Sequence, residues 1–287
     1  MNGGPADVHI WHGDCLRRLA EIPDGVAALV FADLPYVLTA AKWDQFIPFE
    51  ALWPHWRRIL RPNGVVLVCA AELFSAVAKL SNPRWYKYTW YWEKSKPTNY
   101  LNVSHQPLRK VEEVVVFYRK KPTYHPQLQV GDPYDKGVRK AADTGVYRHF
   151  APVRVKSDTG VRQPTNKLYF KTAETEGPVW HSTQKPVALI EYMLRTYTDP
   201  GDLVVDPACG SGTTLVACQR LGRRGIGIEL DAEQVEIGRL RVELDALLRQ
   251  TGTHLNRQQQ ERVVARALEQ GVIVLDADGR EESGVAR

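Results

Sequence analysis

Apolar residues along the chain fall into short runs separated by stretches of helical period. Runs with β-branched content at Val8–Trp11, Val26–Ala32, Val65–Ala70, Val114–Tyr118, Leu203–Asp206 and Gly225–Glu229 predict buried strands. Between them, Phe49–Leu60 carries Leu52, Trp56, Ile59 and Leu60 on one stripe and predicts a helix. Val187–Tyr197, Thr213–Leu221 and Asp231–Gln250 predict three more, the last opened by Asp231 as a helix cap. Such alternation predicts an α/β domain with a largely parallel sheet. The aromatic segment Trp85–Trp92 sets Tyr86, Tyr88, Trp90 and Trp92 on one face at strand period. A sheet-core strand is preferred there over a base-stacking platform.

The alternation fails between about Tyr124 and Trp180, where Gly, Pro, Asp, Lys and Arg dominate without a sustained period. That is too long for a plain loop and predicts a functional insertion over 120–180. Residues 1–120 and 180–250 form the expected main domain, and 251–287, helical through Ala267 and then polar, a peripheral tail.

Length and composition add little: 287 residues, 44% hydrophobic and 25% charged, describe an ordinary globular chain of one or two domains. No apolar run reaches the ~18 residues needed to cross a bilayer, and the N-terminus lacks a signal-peptide pattern. The chain is expected in the cytoplasm, away from membranes. Cys15, Cys69, Cys209 and Cys218 form no CxxC pair, so neither a zinc ribbon nor a disulfide framework is expected. Charge changes the picture once it is divided. Asn82–Trp180 carries 18 basic and 9 acidic side chains, a net of +9, against 20 and 24, a net of −4, elsewhere. This suits either a solvated face or a phosphate-binding one.

Three strand ends carry candidate chemistry. In Leu203–Thr214 an apolar strand ends at Asp206 and turns through Pro207, Ala208, Cys209, Gly210, Ser211 and Gly212 into a helix at Thr213. Glycines let the backbone approach a ligand, and the helix start offers free N–H groups. The dinucleotide fingerprint fails because Leu215 stands at its third glycine, and the phosphate-loop pattern is absent too. The next strand ends in Glu229-Leu230, and an acidic residue there suits ribose hydroxyls. The strand Val26–Ala32 ends in Asp33-Leu34-Pro35-Tyr36: a carboxylate, a carbonyl left outward by the following proline, and a ring. Two acceptors and a stacking plate suit an exocyclic amino group on a flat base.

Together these motifs resemble the S-adenosylmethionine-dependent amino-methyltransferases of DNA. Asp33–Tyr36 matches the catalytic tetrapeptide, with Leu34 where proline is usual, and Asp206–Thr214 with Glu229 matches the cofactor loop. Gly13-Asp14-Cys15 resembles the element near the cofactor's adenine, and His181–Pro186, with Lys185, the segment before the cofactor loop. Tetrapeptide, variable region, Gln-Lys-Pro, cofactor loop is the permuted order of the β class.

The resemblance implies a doubly wound, mostly parallel seven-stranded sheet. It implies catalytic Asp33, Leu34, Pro35 and Tyr36. The implied cofactor set is Asp14, Cys15, Asp33, Lys185, Asp206 through Thr213, Glu229 and Leu230. The basic insertion becomes a target-recognition region on double-stranded DNA, with Arg139, Lys140, Arg148, Arg154, Lys156, Arg162 and Lys167 as phosphate-contact candidates. The implied reaction is methylation of adenine N6 without a metal. Cytosine N4, an RNA amino group and a non-catalytic DNA-binding role stay open, as do a homodimer and a cognate restriction endonuclease.

Overall fold

The computed structural model describes residues 7–36, 45–140 and 151–270. In chain order the strands are β1 (Val8–His12), β2 (Ala27–Ala32), β3 (Leu60–Ala70), β4 (Tyr86–Thr98), β5 (Arg109–Tyr118), β6 (Gln129–Val130), β7 (Tyr134–Arg139), β8 (Val153–Ser157), β9 (Val161–Arg162), β10 (Lys167–Phe170), β11 (Leu203–Asp206) and β12 (Arg224–Glu229). The helices are α1 (Cys15–Glu21), α2 (Phe49–Ile59), α3 (Glu72–Ser81), α4 (Val187–Tyr197), α5 (Thr213–Arg220), α6 (Ala232–Thr251) and α7 (Arg257–Gln270).

Among the described residues, eight strands form the main sheet in the order β1-β12-β11-β2-β3-β5-β4-β10. Only the β3–β5 and β5–β4 pairs are antiparallel. The sheet thus has one strand more than expected. Lys167–Phe170, assigned from composition to the insertion, pairs in parallel with Tyr91–Lys94 and covers an otherwise open edge. The chain divides into Met1–Tyr124 with Asn166–Arg287, and a smaller unit, His125–Thr165. The smaller unit holds two antiparallel ribbons, β6–β9 and β7–β8.

Strand periodicity builds the core. Val30, Ala32, Val66, Val68, Val115 and Phe117 point to one face, where they meet Leu19, Leu52, Trp56 and Phe74 from α1, α2 and α3. Leu29, Phe31, Val65, Leu67, Val114 and Val116 point to the other, against Leu189, Met193, Tyr197 and Val216 from α4 and α5. Burial on both faces explains why β2 reads as a continuous apolar run.

Trp90 and Trp92 are core residues, and their indole N–H groups donate to Tyr197 Oη and the Phe170 carbonyl. Tyr86 departs from the expected shared face. A bulge between Tyr86 and Tyr88 sends Tyr86 to the Phe117 side while Tyr88 packs with the tryptophans. After α6, α7 packs Val263, Val264 and Ala267 against Leu240 and Leu244. The four cysteines are buried free thiols.

Candidate active site

β2 and β11 lie side by side and run parallel, with Leu203 opposite Ala27 and Val205 opposite Val30. From β11 the chain continues to β12 on one side, and from β2 to β3 on the other. The strand order therefore reverses between them, and ligands of open α/β sheets bind at such a reversal, beyond the carboxyl ends. Asp33 follows one of these ends and Asp206 forms the other.

Both oxygens of Asp33 are engaged. The Tyr36 hydroxyl donates to Oδ1 at 3.0 Å, and Lys185 Nζ lies 2.9 Å from Oδ2. Leu34 is buried in the core below, so the tetrapeptide is anchored by an apolar side chain. The Tyr36 ring stacks on Phe74 of α3, centroids 4.9 Å apart, and Lys185 Nζ sits 5.4 Å from the ring centre. Burial, then the Asp33 charge, raises the Tyr36 phenol well above its ordinary pKa, so it remains a donor.

Lys185, expected with the cofactor residues, faces the tetrapeptide and continues a buried chain of charges. Its Nζ lies 3.6 Å from Glu112 on β5, whose other oxygen is 2.9 Å from Lys94 on β4. Burial opposes the Lys185 charge, and Asp33 and Glu112 overcome it, leaving the pKa raised. Burial likewise opposes the Glu112 charge, and Lys185 and Lys94 hold its pKa below the usual range. Sequence reading missed Glu112 and Lys94. The signal was present: Lys94 continues the inward parity of Trp90 and Trp92, and a buried lysine requires a counter-ion.

The glycine turn is tied down from several sides. Asp206 is 3% exposed and accepts from Thr214 Oγ1 at 2.6 Å and from Ala208 N at 3.1 Å. Gly210 and Gly212 have φ of +50° and +79°. A Cβ on Gly212 would come within 3.2 Å of Ile10 and 3.4 Å of the Gly238 backbone, so that turn requires glycine. Pro207 and Cys209 are buried, Ala208 is half-buried, and burial pushes the Cys209 thiol pKa well up. Buried Arg241 clamps the turn through Ser211 O, Ser211 Oγ and Thr213 Oγ1. Gln184 Oε1, of the side-chain amide, accepts from Ser211 Oγ and from Trp180 N. Glu176 caps α4, accepting from Val187 N and Ala188 N. Arg241, Gln184 and Glu176 act through long-range contacts that periodicity does not reveal.

Glu229 Oε2 accepts from Gly210 N and Oε1 from Asp231 N, both at 2.9 Å. Gly13 N donates to the Glu229 carbonyl, bringing the Gly13-Asp14-Cys15 turn to the same strand end. Asp14 caps α1 through Arg17 N, Cys15 is buried, and exposed Leu230 accepts from His12 through its carbonyl. No cluster of side chains suited to a metal ion occurs among the described residues.

A family model described as DNA methylase matches residues 27–239, a span that contains β2, the tetrapeptide, the glycine turn and Glu229. The chain belongs to the N6/N4 DNA methylase family. Among relatives of this methylase, the type II methyltransferase M2.DpnII of Streptococcus pneumoniae is 26% identical over 259 residues, covering 82% of this chain and 89% of the relative. The structure of an M1.HpyAVI–SAM complex superposes with a TM-score of 0.56 at 22% identity, covering 82% of this chain and 99% of that one. The PvuII DNA methyltransferase, named as cytosine-N4-specific, reaches 0.60 at 18% identity, with 92% and 94% covered. At these identities the two structures share the methylase's fold.

Candidate DNA-binding side chains of the methylase are distributed unevenly. Arg154 pairs with Asp135 and Lys156 with Asp158 inside the smaller unit. Arg162 donates to the Asp132 carbonyl and lies 5.1 Å from the Tyr134 ring centre. Arg139 and Lys140 are exposed, the former ending β7. Lys167 sits on β10, 2.8 Å from Glu93, outside that unit. Arg148 lies outside the described residues. No described helix of the methylase is long and apolar enough to cross a membrane.

Burial raises the Asp206 pKa from 3.8 to about 7. A raised acid favours folding where it is protonated, so its stabilising effect is complete below about pH 4 and is lost as pH rises toward 7. Asp206→Asn removes the titration. Urea unfolding is expected to show the variant gaining on wild type between pH 4 and 8 by up to ~4 kcal/mol, the value of a shift of about three pKa units. Parallel stability curves for the two proteins would contradict this.

Proposed function

We propose that this methylase transfers a methyl group from S-adenosylmethionine to the exocyclic N6 of an adenine flipped out of double-stranded DNA. The observation that carries the reading is the anchored Asp33 carboxylate at the β2 end, one strand from the Asp206 glycine turn. Asp33 as tetrapeptide head, rather than serine, supports adenine: a carboxylate only accepts, whereas a serine hydroxyl also donates.

The residues at the β11 and β12 ends fit such a methyl donor. Glu229 gives one hydrogen bond site per oxygen to the backbone, and each oxygen keeps further acceptor capacity for a diol. A Cβ on Gly210 would meet nothing nearer than His181 Cγ at 3.8 Å, so the backbone there is open to a ligand. When bound, S-adenosylmethionine supplies an electrophilic methyl on a sulfonium. The adenine amine is a poor nucleophile because its lone pair is delocalised. Asp33 and the Leu34 carbonyl accept its two hydrogens and favour a tetrahedral nitrogen, stabilising the positive charge that develops on it. Fixing reactants in line is worth ~7–11 kcal/mol in favourable cases. Because a paired base is out of reach, it is extruded, and Tyr36, backed by Phe74, stacks on it.

The deciding experiment digests treated DNA to nucleosides and identifies the methylated one by mass spectrometry. N6-methyladenine is expected. N4-methylcytosine would move the target to cytosine, and no methylated nucleoside would refute the transferase reading. Glu229→Ala is expected to weaken S-adenosylmethionine binding by about 1.5–3 kcal/mol, the range for a hydrogen bond to a charged group. Unchanged affinity by calorimetry in the folded variant would exclude that role. In this reading His125–Thr165 tracks DNA phosphates. Neutralising Arg139, Lys140 and Arg162 together is then expected to flatten the fall of DNA affinity with salt, by about one slope unit for each phosphate no longer neutralised. An unchanged slope would mark these charges as a solvated face.

A further inference from the structure

The buried chain Asp33–Lys185–Glu112–Lys94 contains one unsatisfied acceptor. Glu112 Oε1 takes Lys94, whereas Glu112 Oε2 is shut off from solvent and receives no hydrogen bond. That oxygen lies 3.6 Å from Lys185 Nζ, which is 2.9 Å from Asp33. The ammonium thus stands between two carboxylates, bonded to one and within a short displacement of the other. Lys94 is fixed, because it also donates to Thr98 Oγ1 at 3.0 Å.

Methyl transfer creates a charge problem at this point. As the carbon–sulfur bond breaks and the carbon–nitrogen bond forms, the positive charge passes from sulfur to the adenine nitrogen, which later releases a proton to water. A lysine ammonium bonded to Asp33 occupies the carboxylate that this nitrogen needs and repels the new cation. We propose that Lys185 has two seats: Asp33 in the free protein, and Glu112 Oε2 when the target amine engages Asp33. Glu112 is then a positioning residue, acting through Lys185, and Lys185 keeps its proton throughout. The assignment rests on the methyltransferase reading above.

Single-turnover transfer of labelled methyl to DNA tests it, with wild type, Glu112→Gln and Glu112→Gln/Lys185→Met compared. Without the second seat, Glu112→Gln is expected to transfer at least about tenfold more slowly, as for loss of preorganised charge stabilisation, with affinities for S-adenosylmethionine and DNA within about twofold of wild type. Removing Lys185 as well frees Asp33, so the double variant is expected to be faster than Glu112→Gln. A double variant no faster than Glu112→Gln overturns the two-seat assignment. Binding without cofactor gives a second readout. DNA carrying cationic 1-methyladenine at the target base is expected to bind wild type more tightly than the adenine duplex, and Glu112→Gln to lose that preference. An equal preference in both proteins also overturns it. If Glu112→Gln does not fold, Glu112→Asp, which withdraws the seat by one methylene, replaces it with the same expected order. Wild-type protein that binds cofactor yet labels no DNA would overturn the underlying function, a result distinct from either order of variant rates.

Discussion

Asp33→Ala is expected to abolish detectable methyl transfer while leaving S-adenosylmethionine bound nearly as before. In the proposed reaction the carboxylate contributes where charge develops on the target nitrogen, so its loss would fall on the transition state rather than on ground-state binding. Removing one preorganised group of this kind costs ~10²–10³ in rate in other enzymes. Here the loss is larger, because Asp33 also fixes neighbours: the Tyr36 hydroxyl and the Lys185 ammonium both lose their acceptor. Labelled-methyl incorporation should fall by more than about a thousandfold, with calorimetric cofactor affinity within a few fold of wild type. Retained transfer would remove Asp33 from the reaction, and a parallel collapse of cofactor affinity would recast it as a structural residue of the loop.

Lys185→Met is expected to be among the most destabilising single substitutions in the chain. Lys185 is 8% exposed and is flanked by Asp33 and Glu112. Methionine of similar length fills the space but leaves two carboxylates with Lys94 alone. Breaking a buried pair by removing one partner costs ~3–5 kcal/mol, because the remaining charge is neither solvated nor compensated. Chemical denaturation should show that loss, reduced in Glu112→Gln/Lys185→Met, where a carboxylate leaves with the lysine. A loss below about 1 kcal/mol would mean that water reaches the cluster and screens it.

Local pattern was enough for much of the frame. The span Val187–Tyr197 is the helix expected from its apolar stripe, and Asp231 caps α6 through Glu233 N and Gln234 N. Both features depend on neighbours within a few residues, so composition and spacing encode them. The same holds for Asp206 and Glu229 at adjacent strand ends: a strand, a glycine turn, a helix and a second strand are contiguous in the chain.

Other features needed distant partners. Nothing near Lys185 in the chain reveals its ion pairs with Asp33, which follows β2, and Glu112, which lies on β5, since both reach it only when the sheet is assembled. The face of Tyr86 was illegible because one bulge residue inverts strand parity, and β10 because a four-residue edge strand has too short a pattern to stand out from the insertion. Alone, the sequence determined the α/β class, the order of the motifs and the carboxylates at the strand ends, since these follow from periodicity and short-range turn chemistry. Tertiary structure decided which charges share the dry interior around Asp33, because burial and pairing of charge depend on segments that meet only when the sheet is assembled.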